Sequence, residues 1–232
     1  MNLKCLSSGS EGNCYLLSDG NETLILDCGI SVKEIKKGLN FDLSKVVGAI
    51  VTHSHLDHSL SAEALENMGI DVWQPYLEEE KVQRRYFGGF SVRCFDVPHD
   101  GVSCRGFLIE FTSGQKLLYA SDFEYIGYNF KKWKINHLLI ECNYQKKYVE
   151  QSAHNRSHVL RGHAELETTI GIIKANATDR LETVILCHLS KGNSNPSECI
   201  AEAKKFVNEW VFVDYARKGF EVELKDSYEC PF

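Results

Sequence analysis

The run Thr52-His53-Ser54-His55-Leu56-Asp57-His58 limits what this chain can be more than any other stretch. Three imidazoles and one carboxylate fall within six residues, directly after the apolar segment Val46-Val47-Gly48-Ala49-Ile50-Val51. An apolar run of that length reads as a buried strand. The cluster therefore sits at the carboxyl end of a strand, where open α/β sheets place their ligands. His53 and His55 are two residues apart, so on extended backbone both side chains point to one face and can share one metal ion. Asp57 and His58 come after the chain turns and can reach a second ion on the other side. Imidazole and carboxylate donors suit zinc, manganese or iron, and the lack of thiolates argues against a structural zinc knot. A solvated loop that happens to be rich in histidine accounts poorly for such a cluster behind a buried strand.

The rest of the composition narrows the setting. A length of 232 residues suits one domain of ordinary size, and the expectation is a single domain over residues 1–232. Hydrophobic residues make up 43% of the chain, enough for a sizeable core and too many for a disordered segment. The net charge of -6 leaves no basic footprint of the kind that non-specific nucleic-acid binders carry. It does not exclude a nuclease, because cations bound at a site would offset charge there. Nine cysteines without a C-x-x-C pair point to reduced thiols and a cytoplasmic setting. Met1–Cys14 is interrupted by Ser8-Gly9-Ser10-Glu11-Gly12-Asn13, which does not read as a secretory leader, and no apolar run reaches membrane-spanning length.

Taken in order, Asn2–Leu6 and Cys14–Leu17 read as strands around the Ser7–Asn13 loop, whose free backbone N–H groups suit either an anion or a plain hairpin turn. Thr23–Asp27 is a strand, and Ser31–Leu39 a helix capped by Ser31 with Glu34 at its third position. Beyond the His/Asp cluster, Ser59–Met68 reads as a helix, Asp71–Trp73 as a short strand, and Pro75–Tyr86 as a helix opened by its proline. Ser91–Val97 alternates and runs into Pro98-His99-Asp100-Gly101. Cys104–Phe111 and Gln115–Ala120 form a hairpin that ends in Ser121-Asp122. Ile135–Glu141 is a strand with Glu141-Cys142-Asn143 at the site edge. Helices follow over Tyr148–Arg161 and Glu165–Ala175, then the strand Thr183–Cys187 leading to His188. A helix over Pro196–Val207 precedes Trp210–Asp214 and Phe220–Leu224, which close the sheet.

His53-x-His55-x-Asp57-His58 resembles the HxHxDH signature of the metallo-β-lactamase superfamily. The resemblance implies an α+β fold, a four-layer αββα sandwich in one domain, with a metal site at one edge. It implies His53, His55 and His99 for one divalent cation, Asp57, His58 and His188 for another, and Asp122 between them with one oxygen each. It also implies that Asp27, in Asp27-Cys28-Gly29, supports the metal loop from behind. The finer motifs Ser8-Gly9-Ser10-x-Gly12-Asn13-Cys14-Tyr15, Val97-Pro98-His99-Asp100, Gly162-His163 and Cys187-His188-Leu189-Ser190-x-x-Asn193 are similar to the WalJ/YycJ (VicX) group of phosphodiesterases and exonucleases. The 188 − 122 = 66 residues from Asp122 to His188 leave no room for the long insertion of the β-CASP branch. Two stretches depart from the group: Phe123-Glu124-Tyr125, where Leu-Gly is expected, and Ala164-Glu165, where Leu-Ser is expected.

The implied activity is hydrolysis of a phosphodiester by a hydroxide bridging two cations, zinc or manganese with iron as a third choice. Asp57 and His163 are the candidate catalytic residues, His163 as proton donor or phosphate contact oriented by Glu165. Ser10, Asn13, Arg156 and Arg161 are candidate phosphate contacts, although the arginines read equally as solvated helix charges. Nucleic acid is the implied substrate. A small phosphodiester, lactone or thioester is the alternative, and a non-enzymatic metal-binding protein is a third reading that a lost ligand would support. No membrane partner is expected, and the oligomeric state is open.

Overall fold

The computed structural model describes residues 1–80, 82–149 and 162–225. Two sheets are stacked face to face. The first is built from β1 (Asn2–Ser7), β2 (Cys14–Ser18), β3 (Thr23–Leu26), β4 (Val46–Ile50), β5 (Val72–Trp73) and β13 (Glu221–Glu223), in the order β13-β1-β2-β3-β4-β5. The second contains β6 (Arg84–Phe87), β7 (Phe90–His99), β8 (Val102–Glu110), β9 (Lys116–Ala120), β10 (His137–Glu141), β11 (Thr183–Cys187) and β12 (Phe212–Tyr215), in the order β12-β11-β10-β9-β8-β7-β6.

Alternating side chains explain the layers. Tyr15 and Leu17 of β2, Tyr119 of β9, Leu139 of β10 and Ile185 of β11 share one core between the sheets. Their neighbours point the other way and bind the helices. Leu16, Ile25, Ala49 and Val51 pack with Ile35 of α1 (Val32–Gly38) and with Ala62 and Leu65 of α3 (Ala62–Glu66). Leu118, Leu138, Val184 and Leu186 pack with Ile170 and Ile173 of α4 (Leu166–Asn176) and with Cys199 and Ala203 of α5 (Pro196–Lys204). The result is the expected αββα sandwich. Strands buried on both faces read as unbroken apolar runs, and β10 and β11 are buried at every position. Strands β3 and β4 pair in parallel, as do β9, β10 and β11, so their carboxyl ends gather at one edge of the sandwich.

Several elements depart from the sequence expectation. The helix expected over Pro75–Tyr86 is a 3-10 turn at Pro75–Leu77 followed by the edge strand β6. Antiparallel pairing of β6 with β7, and burial of Phe87 between the sheets, outweigh the helix signal of Pro75. The helix expected over Ser59–Met68 is broken into α2 (Leu56–Ser59) and α3, because Ser61 is diverted: its N–H donates to Cys28 O and its hydroxyl to Ile30 O. The last two strands are divided between the sheets, β12 beside β11 and β13 antiparallel to β1. Of the helix expected over Tyr148–Arg161, only a 3-10 turn at Lys146–Tyr148 lies in the described part, and residues 150–161, with Arg156 and Arg161, lie outside it.

Candidate metal centre

The gathered strand ends carry the site. The first sheet contributes one loop, the stretch after β4, which holds His53, His55, Asp57 and His58. The second sheet contributes one residue per strand: His99 closes β7, Asp122 follows β9, Glu141 closes β10 and His188 follows β11. Arg105 N–H donates to Thr52 O and ties the loop to the second sheet. Asp27, Asp122 and His188 lie just beyond their strands with φ of 54°, 56° and 52°. This left-handed backbone is costly for residues with a side chain, and such strain collects at functional sites.

The seven expected ligands come together in two sets that share Asp122. His53, His55, His99 and Asp122 form one, and Asp57, His58, Asp122 and His188 the other, with one donor atom from each residue within 4.8 Å of the rest. Asp122 turns Oδ2 to the first set, 3.8 Å from both His53 Nε2 and His99 Nε2. It turns Oδ1 to the second set, 3.4 Å from His58 Nε2. His55 Nδ1 lies 3.3 Å from His99 Nε2, and Asp57 Oδ2 lies 3.6 Å from His58 Nε2. Donors held about 2.0–2.2 Å from a common cation in tetrahedral geometry stand about 3.3–3.6 Å apart. His53 Nε2 and His188 Nε2 are buried with no hydrogen-bond partner. A bare, buried imidazole nitrogen aimed at a carboxylate is what a metal ligand needs, and the donor set fits divalent cations.

Hydrogen bonds fix which ring nitrogen faces the centre. His99 Nδ1 meets Gly162 O, a group that only accepts, so Nδ1 carries the proton and the lone pair of the neutral ring lies on Nε2, on the side of the centre. A side chain at Gly162 would stand 3.2 Å from the His99 ring, and glycine allows this approach. Two carboxylates with no exposed surface lie beneath the centre, one from each sheet. Asp27 accepts from Thr52 N–H at 2.8 Å, from His58 Nδ1 at 2.7 Å, and from the Thr52 and Tyr119 hydroxyls. Glu141 Oε1 accepts from His163 Nδ1 and His188 Nδ1, both at 2.8 Å, while Oε2 accepts from Phe123 and Ala164 N–H.

These acids set the charge balance. Burial acts first on His58 and would lower its pKa, but Asp122 and Asp27 outweigh it and push the ring up to about 10. Burial would raise Glu141, yet the His163 charge and the imidazole hydrogen bonds hold it below the usual range. His53 goes the other way, lowered by burial and then by the His58 charge. The pocket thus attracts positive charge while keeping a neutral imidazole ready.

Other candidates fall differently. His163 is nearly buried, with Nδ1 3.9 Å from Asp122 Oδ2 and its ring 5.2 Å from that of His188. Its orienting carboxylate is Glu141; Glu165, which the sequence suggests, pairs instead with Lys146 at 3.2 Å. Asn13 is fully buried and has no surface to offer a phosphate. Its amide bonds Gly9 and Asp57 O and lies 2.9 Å from His58 Nε2, holding the loop rather than a substrate. Ser10 is exposed at the tip of that loop. Glu141 is legible as a residue at the site edge, but no sequence signal assigns it two histidines. Thr52 and Tyr119 carry no signal, since their role depends on Asp27 lying between them.

The sandwich has the metallo-β-lactamase fold, and the sequence profile of the metallo-beta-lactamase superfamily matches residues 8–95. The chain is 24% identical to an exodeoxyribonuclease, WalJ of Streptococcus pneumoniae, over 82% of its own length and 81% of that protein. Among solved structures it is similar to the metallo-beta-lactamase fold protein YhfI from Bacillus subtilis, with 18% identity, a TM-score of 0.71, and coverage of 95% of this chain and 98% of that one. It is also similar to the short form of human tRNase Z, with 14% identity, a TM-score of 0.65, and coverage of 97% and 100%. Among the described residues, no helix is long and apolar enough to cross a membrane.

Proposed function

We propose that the chain is a hydrolase of phosphodiester bonds in nucleic acid, working with two divalent cations, zinc, manganese or iron. His53, His55 and His99 would hold one cation, Asp57, His58 and His188 the other, and Asp122 both. Bound there, the pair would lower the pKa of water toward about 7 and offset charge on the phosphate oxygens.

The observation that carries the reading is the divided Asp122, Oδ2 toward one set and Oδ1 toward the other, with His163 beside it. Asp122 fixes the distance between the two halves. Asp57 is partly exposed, with Oδ2 3.9 Å from His188 Nε2, and it orients water at the mouth of the site. Burial would lower the His163 pKa, but the Glu141 charge prevails and raises it. The Glu141 charge thus favours the protonated ring, the form that can give a proton to the leaving oxygen. Glu141 fixes the ring, so the proton is delivered from one place. The similarity to WalJ, named as an exodeoxyribonuclease, supports nucleic acid as the substrate. The net charge of -6 favours the second reading, a hydrolase of small phosphodiesters on the same site.

The test is hydrolysis after reconstitution with manganese or zinc, on bis-p-nitrophenyl phosphate beside 5′-phosphorylated linear duplex DNA, with Asp57→Ala as control. Cleavage of DNA that disappears in the variant supports the nuclease. Turnover of the small ester alone supports the second reading. Inertness toward both overturns phosphodiester hydrolysis and directs attention to lactones and thioesters.

A further inference from the structure

Beside the metal centre lies a groove of about 840 Å³ whose walls come from both sheets. It adjoins the centre across two backbone contacts. Ser8, on one wall, accepts the N–H of His188 at 2.9 Å. Gly29, on the same wall, packs so closely on the metal loop that a Cβ there would stand 1.7 Å from Asp57 O. The groove wall therefore borders the backbone of Asp57 and His188.

The groove's charge is opposite to that of the molecule. Its lining carries four cationic side chains, Lys37, Lys191, Arg217 and Lys218, against two acidic ones, Glu11 and Glu34, and with Asp214 beside Arg217 the local balance is 4 − 3 = +1 on a chain whose total is -6. The cations come from three separate stretches: α1, the segment after His188, and the β12–β13 turn. Each has an acidic partner: Lys37 and Lys218 meet Glu34 at 2.9 and 3.6 Å, Lys191 meets Glu11 at 2.7 Å, and Arg217 meets Asp214 at 3.0 Å. These pairs are largely exposed, and such pairs contribute at most about 1 kcal/mol. An incoming phosphate can replace the carboxylates at little cost, so the pairs keep the groove neutral enough for solubility without closing it.

We propose that this groove is the track for the sugar–phosphate backbone of a single nucleic-acid strand whose end lies at the metal centre. The inference rests on the phosphodiesterase reading and deepens it, because it makes the substrate a polymer rather than a small ester. Repeating phosphates match cations spread along a groove; a small ester would need them converging on one point.

The test measures binding without turnover. Full-length protein in EDTA is titrated against a short, fluorescein-labelled, 5′-phosphorylated single-stranded oligonucleotide, with anisotropy read across a salt series. The triple variant Lys191→Ala, Arg217→Ala, Lys218→Ala is compared with Lys131→Ala, Lys132→Ala, Lys134→Ala, which removes the same charge from an exposed segment outside the groove. The groove variant is expected to bind about tenfold or more weakly and to lose about 2 from the log–log salt slope, while the control stays near the parent protein. The charge-retaining variant Lys191→Arg, Arg217→Lys, Lys218→Arg should restore both. Equal losses in the two alanine variants, or no loss in the groove variant, overturn the track. A protein that binds no oligonucleotide yet hydrolyses bis-p-nitrophenyl phosphate overturns the track and leaves the phosphodiesterase reading standing.

Discussion

Asp27 and Glu141 occupy matching places under the metal centre, yet they do different amounts of work. Asp27, from the first sheet, serves one histidine, His58, and spends its other bonds on Thr52 and Tyr119. Glu141, from the second, serves two histidines and the backbone of two further segments. The asymmetry follows from how each sheet supplies the site. The first sheet brings its donors in one loop, which orders itself locally through His58 N–H to His55 O. The second brings them on separate strand ends, and a buried acid must gather them. Where ligands are scattered, the carboxylate beneath becomes the organiser.

The largest way to break this comparison is to remove the one residue common to both halves. Asp122→Ala should abolish stoichiometric metal at both sets and lower turnover of bis-p-nitrophenyl phosphate by about a thousandfold or more, the effect of several kcal/mol of lost charge stabilisation. His55→Ala and His188→Ala should each lose metal from one set only. Elemental analysis of the purified variants reads this directly, and retention of both ions in Asp122→Ala would contradict the shared carboxylate.

Glu141→Gln and Asp27→Asn sharpen the asymmetry. Each keeps the shape and removes the charge, and each should weaken metal binding by about 10–100-fold in competition with a chelator. Glu141→Gln should lower kcat further than Asp27→Asn, because it also releases His163. Equal kcat losses would mean that the two acids are equivalent after all.

A third contrast lies along β10 itself. His137 and Glu141 are both fully buried on the same strand, but Glu141 is satisfied and both His137 nitrogens lack hydrogen-bond partners. Burial lowers the His137 pKa from 6.5 to about 3. The folded state thus holds the neutral ring, while the unfolded chain takes up a proton below pH 6.5. Stability should fall as pH drops through that window, by about 2 kcal/mol between pH 7.5 and 5 from this residue alone. His137→Leu should remove that share of the slope in denaturant titrations at the two pH values. Ser31→Ala, at an exposed cap far simpler than either acid, should cost about 0.5–1 kcal/mol in the same assay.

The same asymmetry decides what could be read from the sequence. Alternation and apolar runs announce the strands, because burial on one or both faces writes directly into residue order. The His53–His58 loop is legible because its donors are contiguous. His99, Asp122 and His188 each fall at the end of a strand that the sequence shows, but only the family resemblance singles them out as candidate ligands. Glu165 attracts the orienting role because it lies two residues from His163, whereas Glu141 is 22 away and reaches it through the fold. Asn13 reads as a phosphate contact from its place in the Ser7–Asn13 loop, but its burial depends on Gly9 and Asp57 closing over it, which the sequence does not show. The Pro75 region misleads because strand pairing, a long-range effect, overrides a local helix start.

Asp27, Asp122 and His188 hang from backbone that glycine would adopt with ease. Selection for stability alone would not keep them: three strained torsions and two buried acids are burdens to a chain that only needs to stay folded. A lineage released from its chemistry should drift toward glycine or asparagine at these three places first, while the neighbouring apolar strands stay unchanged. Positive backbone angles at residues that are not glycine are therefore what a working site would keep and a merely structural one would shed.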